Sequence, residues 1–160
     1  MIIRVGQGFD IHRFEETPTP DRVLVLGGQQ FPGERTLVGH SDADVIAHAV
    51  VDALLGATGL GDIGQHFPDT DAKWKNADSI EILREVAKML TDAGWTIGNV
   101  DCSVVCESPK LASKRDAMQA LLSNAAGAPV TVKGRRAEGL GAIGRGEGIA
   151  CFASALVTRD

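Results

Sequence analysis

The sequence predicts a single α+β domain in which helices cover one face of a small mixed β-sheet. A chain of 160 residues can form one domain that buries roughly 68–70% of its unfolded surface. Runs with the two-residue period of strands are interspersed with runs that have the 3.6-residue period of helices. No repeat or low-complexity linker divides the chain, so residues 1–160 are interpreted as one domain.

Five segments have strand character: residues 1–9, 22–31, 100–106, 129–136 and 148–157. The last of these is apolar on both faces. One face carries Ile149, Cys151, Ala153, Ala155 and Val157, and the other carries Ala150, Phe152, Ser154 and Leu156. Both faces must therefore be covered. Helices can cover one of them, and we expect other subunits to cover the second.

Three segments have helical character: residues 41–57, a helix that is capped by Asp78-Ser79 and ended by Gly94, and about 112–126. Ser41 or Asp42 is the expected N-cap of the first helix. The inward side chains of the second helix are expected to be Ile80, Leu83, Ala87 and Leu90. Those of the third are expected to be Met118, Leu121, Leu122 and Ala125, with Gly127 and Pro129 as its stop signal.

The composition disfavours several classes of protein. A net charge of −5 argues against a general binder of nucleic acid or of anionic membranes. There is neither a secretory signal pattern nor a run of eighteen apolar residues, so we expect a soluble cytosolic protein. Cys102 and Cys106 lie about 13 Å apart along one strand, too far for a disulfide. With Cys151 they are interpreted as small buried side chains in a reducing compartment.

Two short motifs hold three of the four histidines beside carboxylates. Asp10 and His12 follow the first strand and project from one face of its end. His48 lies one or two turns into the first helix. Two imidazoles and one carboxylate with a free fourth position suit a catalytic divalent metal, zinc above all.

The spacing leaves a second grouping open. His40, Asp44 and His48 are four residues apart and share one helix face if that helix begins early. A histidine on an apolar helix face is also more often a hydrogen-bonded core residue than a metal ligand. Spacing does not choose among these interpretations.

Four motifs follow one another in register: Gly-x-Gly-Phe-Asp-Ile-His, His-Ser-Asp-Ala-Asp-Val-x3-His, Leu-Gly-Asp-Ile-Gly-x2-Phe-Pro-Asp-Thr-Asp and Gly-Arg-Gly-Glu-Gly-Ile-Ala. Together they resemble the 2-C-methyl-D-erythritol 2,4-cyclodiphosphate synthase family of the non-mevalonate isoprenoid pathway. The resemblance runs from about Arg4 to Val157, essentially the whole chain.

The resemblance implies a phosphorus–oxygen lyase. Such an enzyme cyclises 4-diphosphocytidyl-2-C-methyl-D-erythritol 2-phosphate to 2-C-methyl-D-erythritol 2,4-cyclodiphosphate and releases CMP. The resemblance also favours zinc on Asp10, His12 and His48, and it implies Mg²⁺ or Mn²⁺ on Glu138. Asp44 is then a candidate hydrogen-bond partner of a ligating imidazole.

The resemblance also implies which residues contact the substrate. His40 and Ser41 are expected beside the attacking phosphate and, with Glu138 and Arg136, are the expected catalytic residues. Asp10 and His12 are expected to contact the substrate as well as zinc. The methylerythritol contacts are expected from Asp62, Gly64, Phe67, Asp69 and Asp71, and the cytidine contacts from Cys106, Pro109, Lys110, Leu111 and Ala112. The phosphate contacts are expected from Gly134, Arg135 and Arg136, and Arg145 is expected near the threefold axis of a trimer. Arg136 departs from the family pattern, which has a phosphate-contacting threonine there.

The family assembles as a homotrimer, in which sheets surround a threefold axis and active sites lie between neighbouring subunits. The resemblance therefore implies the same assembly here, with room on the axis for an isoprenoid diphosphate, in a bacterial cytoplasm. Two alternatives stay open. One is a zinc-dependent phosphohydrolase, and the other is a non-catalytic trimer that binds cytidine nucleotides or isoprenoid diphosphates.

Overall fold

The computed structural model describes all 160 residues. The strands are β1 (Ile2–Arg13), β2 (Leu24–Leu26), β3 (Gln29–Phe31), β4 (Thr96–Val105), β5 (Val130–Arg135) and β6 (Gly148–Arg159). The helices are α1 (Val45–Thr58), α2 (Ile63–His66), α3 (Ser79–Asp92), α4 (Arg115–Ala126) and α5 (Gly141–Gly144). Two 3₁₀ turns, Ala72–Trp74 and Ala112–Lys114, precede α3 and α4.

The main sheet is mixed, as predicted. Its order is β1-β6-β4-β5, with β4 and β5 parallel and the other neighbours antiparallel. The prediction of one strand over 22–31 was wrong, because β2 and β3 form a separate hairpin. Gly27 and Gly28 form its two-residue turn with φ of 56° and 71°, a conformation that glycine adopts without a steric penalty.

Helix α1 lies directly on strand β1 because β1 carries glycine where the two backbones approach. A Cβ added to Gly8 would lie 2.0 Å from the Ala49 carbonyl oxygen, and one added to Gly6 would lie 2.1 Å from that of Ala53. Both distances are far below van der Waals contact. Twelve of the fourteen α1 residues are buried, as expected of a helix that is apolar nearly all round.

The remaining helices complete one layer over the sheet. Helix α3 packs against α1, and α4 packs against α3 and β5. The predicted inward faces are confirmed except at two positions. Ala87 and Leu121 are only half-buried, and Ile82 and Val86 are buried on α3 instead. The third predicted helix begins as a 3₁₀ turn and becomes α-helical at Arg115.

The opposite face of the sheet is open to solvent in a single chain. The inward-facing residues of β6 are Ile149, Cys151, Ala153, Ala155 and Val157, and all of them are buried. On the outer face, Val5 is 72% exposed, Phe9 48% and Phe152 43%. The two phenylalanine rings contact each other across β1 and β6, with centroids 4.9 Å apart. We call this surface the apolar sheet face; it also includes Ile3 and Ile11.

The three cysteines are free and buried, in agreement with their interpretation as small core side chains. None of the helices combines the length and the apolar character needed to cross a bilayer.

Candidate functional site

Strand β1 and helix α1 bring three candidate metal ligands together. Asp10 and His12 lie near the end of β1, and His48 lies in the first turn of α1. The Oδ2 atom of Asp10 is 3.0 Å from Nδ1 of His12 and 3.1 Å from Nδ1 of His48. One ligand atom from each residue lies within 4.8 Å of the others. The predicted strand-to-helix grouping is thus present, and it is the one group of this kind in the chain.

The polar atoms of this group fit a bound cation. The Nδ1 atom of His12 is buried and has no hydrogen-bond partner, because its approach to Asp10 lacks hydrogen-bond geometry. Two nitrogens and one carboxylate oxygen turned toward one another are the donor set of a catalytic zinc site. The residues present therefore suit a divalent metal.

The protonation equilibria at this site are strongly perturbed. Burial would raise the pKa of Asp10, but the neighbouring His12 and His48 imidazoles outweigh it and lower the pKa to about 2. Burial would lower the pKa of His48, but its hydrogen bond to Asp10 and the charges of Asp10, Asp44 and Asp42 outweigh this, and the pKa is raised. In the metal-free chain, these shifts favour an ionised Asp10 carboxylate opposite a protonated His48 imidazole.

The rival grouping of His40, Asp44 and His48 is wrong. Helix α1 begins at Val45, so His40 is not on it, and His40 Nε2 lies 3.2 Å from the carbonyl oxygen of Asp71. Asp44 is the N-cap of α1, a role that was predicted for Ser41 or Asp42.

The Asp44 side chain is fully occupied by backbone groups. Its carboxylate accepts hydrogen bonds from the N–H groups of Gly27, Gly28, Ile46 and Ala47. The expectation that it supports an imidazole is therefore also wrong. Burial, with a smaller contribution from Asp42, raises the pKa of Asp44 to about 6.

The three candidate ligands line one part of a cavity of about 450 Å³, which we call the metal pocket. Its lining consists of Asp10, His12, Gly39, His40, Ser41, His48, Ile63, Gly64, Phe67, Pro68, Asp69, Trp74 and Ile82. It includes Gly64, Phe67 and Asp69 of the predicted methylerythritol contacts. Trp74, which packs edge-on against Phe67 with ring centroids 4.8 Å apart, was missed by sequence reasoning, although its large apolar ring in a polar loop was a usable signal.

Two residues that are predicted to contact the methylerythritol group, Asp62 and Asp71, also cap short helical turns. The carboxylate of Asp62 accepts from the Gln65 N–H and caps α2, and that of Asp71 accepts from the Lys73 N–H. Neither residue lines the metal pocket. Both residues are the N-caps at which these short helical turns begin.

A second cavity of about 440 Å³, the basic pocket, lies between β4, β5 and the turn before α4. Its lining consists of Cys106, Glu107, Pro109, Lys110, Leu111, Ala112, Arg115, Gly134, Arg135 and Arg136. All five predicted cytidine contacts and all three predicted phosphate contacts are among them. Glu107 and Arg115 were missed. Burial raises the pKa of the Cys106 thiol to about 11. Cys106 therefore lines the pocket as an uncharged thiol.

Arg136, the departure from the family pattern, is paired with Glu107. Its Nε and Nη2 atoms donate to Glu107 Oε2 at 2.9 and 2.7 Å, and the other carboxylate oxygen accepts from the Ala137 N–H at 2.9 Å. The hydrogen bond from Arg136 is the main cause of a lowered pKa for Glu107. The Arg136 side chain is 71% exposed, so it lies at the rim of the basic pocket.

The remaining predicted residues lie outside both pockets. Glu138 is exposed, with a φ of 52°, and belongs to no group of metal ligands within this chain. Arg145 donates through Nε to Glu147 Oε1 at 2.6 Å. The two pockets share no lining residue.

Comparison with known proteins identifies the family. The YgbB family profile matches residues 3–158. A relative from Burkholderia thailandensis, named 2-C-methyl-D-erythritol 2,4-cyclodiphosphate synthase, is 50% identical over 163 residues, which cover 100% of this chain and 98% of the relative. One of the same name from Halalkalibacterium halodurans is 48% identical over 99% of this chain and 100% of its own.

Solved structures agree with this. The bifunctional IspDF from Campylobacter jejuni superimposes with a TM-score of 0.91 at 41% identity, over 99% of this chain and 43% of that one. The Plasmodium falciparum IspF CDP complex has a TM-score of 0.84 at 34% identity, over 99% of this chain and 97% of that one. From its profile match and its full-length relatives, the chain belongs to the YgbB family of 2-C-methyl-D-erythritol 2,4-cyclodiphosphate synthases.

Proposed function

We propose that this chain cyclises 4-diphosphocytidyl-2-C-methyl-D-erythritol 2-phosphate to 2-C-methyl-D-erythritol 2,4-cyclodiphosphate and releases CMP. The observation that carries the proposal is the group of Asp10, His12 and His48 at the opening of the metal pocket. Full-length relatives at about half identity carry the name of this activity. A solved relative at 34% identity is described as a complex with CDP, a cytidine nucleotide like the one that the reaction releases.

The reaction is an intramolecular phosphoryl transfer. An oxygen of the 2-phosphate attacks the β-phosphorus of the diphosphate, the bond from that phosphorus to the CMP oxygen breaks, and CMP leaves with the bonding electrons. A phosphate anion needs no separate base to attack. The protein therefore contributes mainly position and compensation of negative charge.

We assign the phosphate end of the substrate to the metal pocket. Asp10, His12 and His48 would hold zinc, which when bound supplies Lewis-acid charge compensation at the β-phosphate. Ser41 lines the same pocket, and its hydroxyl can donate to the attacking phosphate. His40 lies beside it and is placed to orient that phosphate.

We assign the cytidine end to the basic pocket. Lys110 and Arg135 line it and supply positive charge for the diphosphate. Glu138 lies two residues after Arg136 in the sequence. It is proposed to hold Mg²⁺ or Mn²⁺ near the departing CMP. Since the ion would also need oxygen ligands from the substrate, an isolated carboxylate in the free chain is compatible with this role.

A homotrimer is proposed because one chain has two separate pockets and an uncovered apolar sheet face. Packing this face against a neighbour would remove Phe9 and Phe152 from water. It would also allow the metal pocket of one subunit to meet the basic pocket of the next. Arg145 remains a candidate group for an isoprenoid diphosphate at the threefold axis. We also propose a bacterial cytoplasmic location, which the free cysteines support.

The activity is tested with purified protein, the diphosphocytidyl substrate, Zn²⁺ and Mg²⁺, followed by phosphorus NMR. We expect the cyclic diphosphate and CMP in equal amounts. An acyclic product that has gained oxygen from water would instead identify a phosphohydrolase. Tight CMP binding without turnover would identify a binding protein.

The assembly is tested by placing a charge on the apolar sheet face. Phe152→Glu should dissociate the trimer, because burying an unpaired carboxylate costs several kcal/mol. Ala153 is unsuitable for this purpose, since it is buried beneath α1 on the other side of the sheet. Ala120→Glu, on an exposed position of α4, is the matched control. Light scattering should show trimers for the native chain and the control. An active native monomer would refute the assembly.

A further inference from the structure

Two polar residues behind His48, Ser79 and Asp42, have no role in the proposed chemistry. Ser79 begins α3 and is completely buried. Its Oγ atom lies 2.8 Å from Nε2 of His48 and also hydrogen bonds to Oδ1 of Asp42. The Ser79 N–H donates to Oδ2 of Asp42 at 3.0 Å. Both carboxylate oxygens of Asp42 are thus engaged by Ser79.

The direction of each hydrogen bond follows from the available hydrogens. An ionised carboxylate can only accept, so the single hydroxyl hydrogen of Ser79 points to Asp42. The Ser79 oxygen must then accept from Nε2 of His48, and Nε2 carries a hydrogen. Ser41 Oγ lies farther from Nε2, at 3.2 Å, and already accepts from the Ala43 N–H. The tautomer is therefore assigned from the network.

This assignment decides which nitrogen can bind a metal. With a hydrogen on Nε2, Nδ1 is the nitrogen left for a cation. In the metal-free chain Nδ1 donates to Asp10 Oδ2 at 3.1 Å, and a bound metal would take the place of that hydrogen. If the Ser79 hydroxyl pointed at His48 instead, Nε2 would be its acceptor, and the neutral ring would carry its hydrogen on Nδ1, where it would exclude the metal. The orientation of one buried hydroxyl thus separates a binding from a non-binding form of His48.

We propose that Ser79 and Asp42 are positioning residues that lock His48 in the tautomer and orientation in which Nδ1 faces the metal. The inference rests on the proposed metal role of Asp10, His12 and His48 and deepens it. Partners that hold a ligating histidine through its second nitrogen typically change metal affinity by 10–100-fold when they are lost.

The test measures zinc affinity by competition with a chelator, together with the tautomer of His48 from the nitrogen shifts of its ring. Ser79→Ala should weaken zinc binding by about 10–100-fold, while Ser79→Thr, which keeps a hydroxyl, should bind nearly as well as the native chain. Asp42→Asn should weaken zinc as well. Its amide can donate to Ser79 Oγ, which turns the serine hydroxyl toward His48 and favours hydrogen on Nδ1.

Thr58→Val is the matched control. Thr58 is buried, and its hydroxyl donates to the carbonyls of Leu54 and Leu55, far along α1 from His48. This variant loses a buried hydroxyl but should keep native zinc affinity. Thermal melts of the metal-free variants separate loss of folding from loss of affinity. If Ser79→Ala does not fold, the other two variants still test the proposal. Asp42→Asn should bind zinc more weakly than the native chain, and Ser79→Thr should bind it nearly as well.

The outcomes separate the two levels of inference. If the native chain binds no zinc through Asp10, His12 and His48, the proposed metal site itself is wrong. If it binds zinc but Ser79→Ala and Asp42→Asn bind it within about twofold of native, with hydrogen still on Nε2, then only the positioning role is wrong.

Discussion

The metal pocket and the basic pocket differ in how firmly the fold fixes their functional groups. In the metal pocket, the ligands lie on a strand and a helix whose backbones touch, and His48 is 8% exposed. In the basic pocket, Arg135 and Arg136 are exposed at and just beyond the end of β5. Buried groups on regular elements are held before a ligand arrives, whereas exposed cations are ordered by it. We therefore expect substitutions in the metal pocket to have the larger effects.

The largest effect is expected for His48→Ala. Loss of a ligand should abolish stoichiometric zinc binding and lower kcat on the order of 10³-fold, since Lewis-acid charge compensation supplies several kcal/mol. Metal analysis and steady-state kinetics measure both. His40→Ala is the control, because His40 lines the same pocket without joining the ligand group. If His40→Ala loses zinc while Asp10→Ala keeps it, the grouping is incorrect.

An intermediate effect is expected for Gly8→Ala, which tests the contact between β1 and α1. The new Cβ would lie 2.0 Å from the Ala49 carbonyl oxygen, so the strand or the helix must move. We expect a loss of about 3 kcal/mol in the free energy of unfolding and weaker zinc binding, because Asp10 and His12 move relative to His48.

Gly56→Ala on α1 is the comparison for that substitution. The nearest atom to its added Cβ is the Gln7 carbonyl oxygen at 3.7 Å, an ordinary contact. Better helix propensity should then stabilise the protein by ~0.5–1 kcal/mol. Denaturant unfolding measures both variants. Equal stability of the two would show that the close approach does not constrain the fold.

The smallest effect is expected for Arg136→Thr, which restores the residue that the family pattern suggests. Arg136 is exposed and already paired with Glu107, so a substrate phosphate must compete with that carboxylate, and an exposed pair contributes little. We expect substrate KM and Mg²⁺ dependence to change by less than about fivefold, with any difference shrinking as salt rises.

Lys133→Thr is the matched control for this prediction. Lys133 is an exposed cation on β5 that pairs with Asp101 and does not line the basic pocket. A change of more than about thirtyfold for Arg136→Thr alone would show that the guanidinium turns into the pocket when substrate binds. A large gain in turnover would show that the native site is impaired.

The fold and the metal group were predictable to the extent that they depend on local pattern. Strand alternation placed Asp10 and His12 on one face, and the family motifs favoured His48 as the third member. The start of α1 was mispredicted because Asp44, like Ser41 and Asp42, is of a residue type that caps helices. Asp44 also accepts hydrogen bonds from the Gly27 and Gly28 N–H groups, and a capping rule applied to neighbouring residues does not include such long-range contacts.

Other features depend on contacts between residues that are distant in the sequence. Ser79 lies 31 residues from His48 and 37 from Asp42, so no spacing rule connects them. Glu107 reaches Arg136 only because β4 and β5 run parallel and end together. The hairpin of β2 and β3 was predictable in principle, since Gly27-Gly28 is a recognised two-residue hairpin turn.

The pairing of the first and last strands has a consequence for how this domain can be joined to others. Ile2 lies opposite Arg159 in the register of β1 and β6, so both ends of the chain leave the sheet at one corner. His12, ten residues along β1, is about 33 Å from that corner at ~3.3 Å per residue. A second domain can thus be appended at either end without approaching the ligand group, which suits the bifunctional arrangement named for the Campylobacter jejuni relative. For the same reason, a short linker between the two ends would permit circular permutation of the domain.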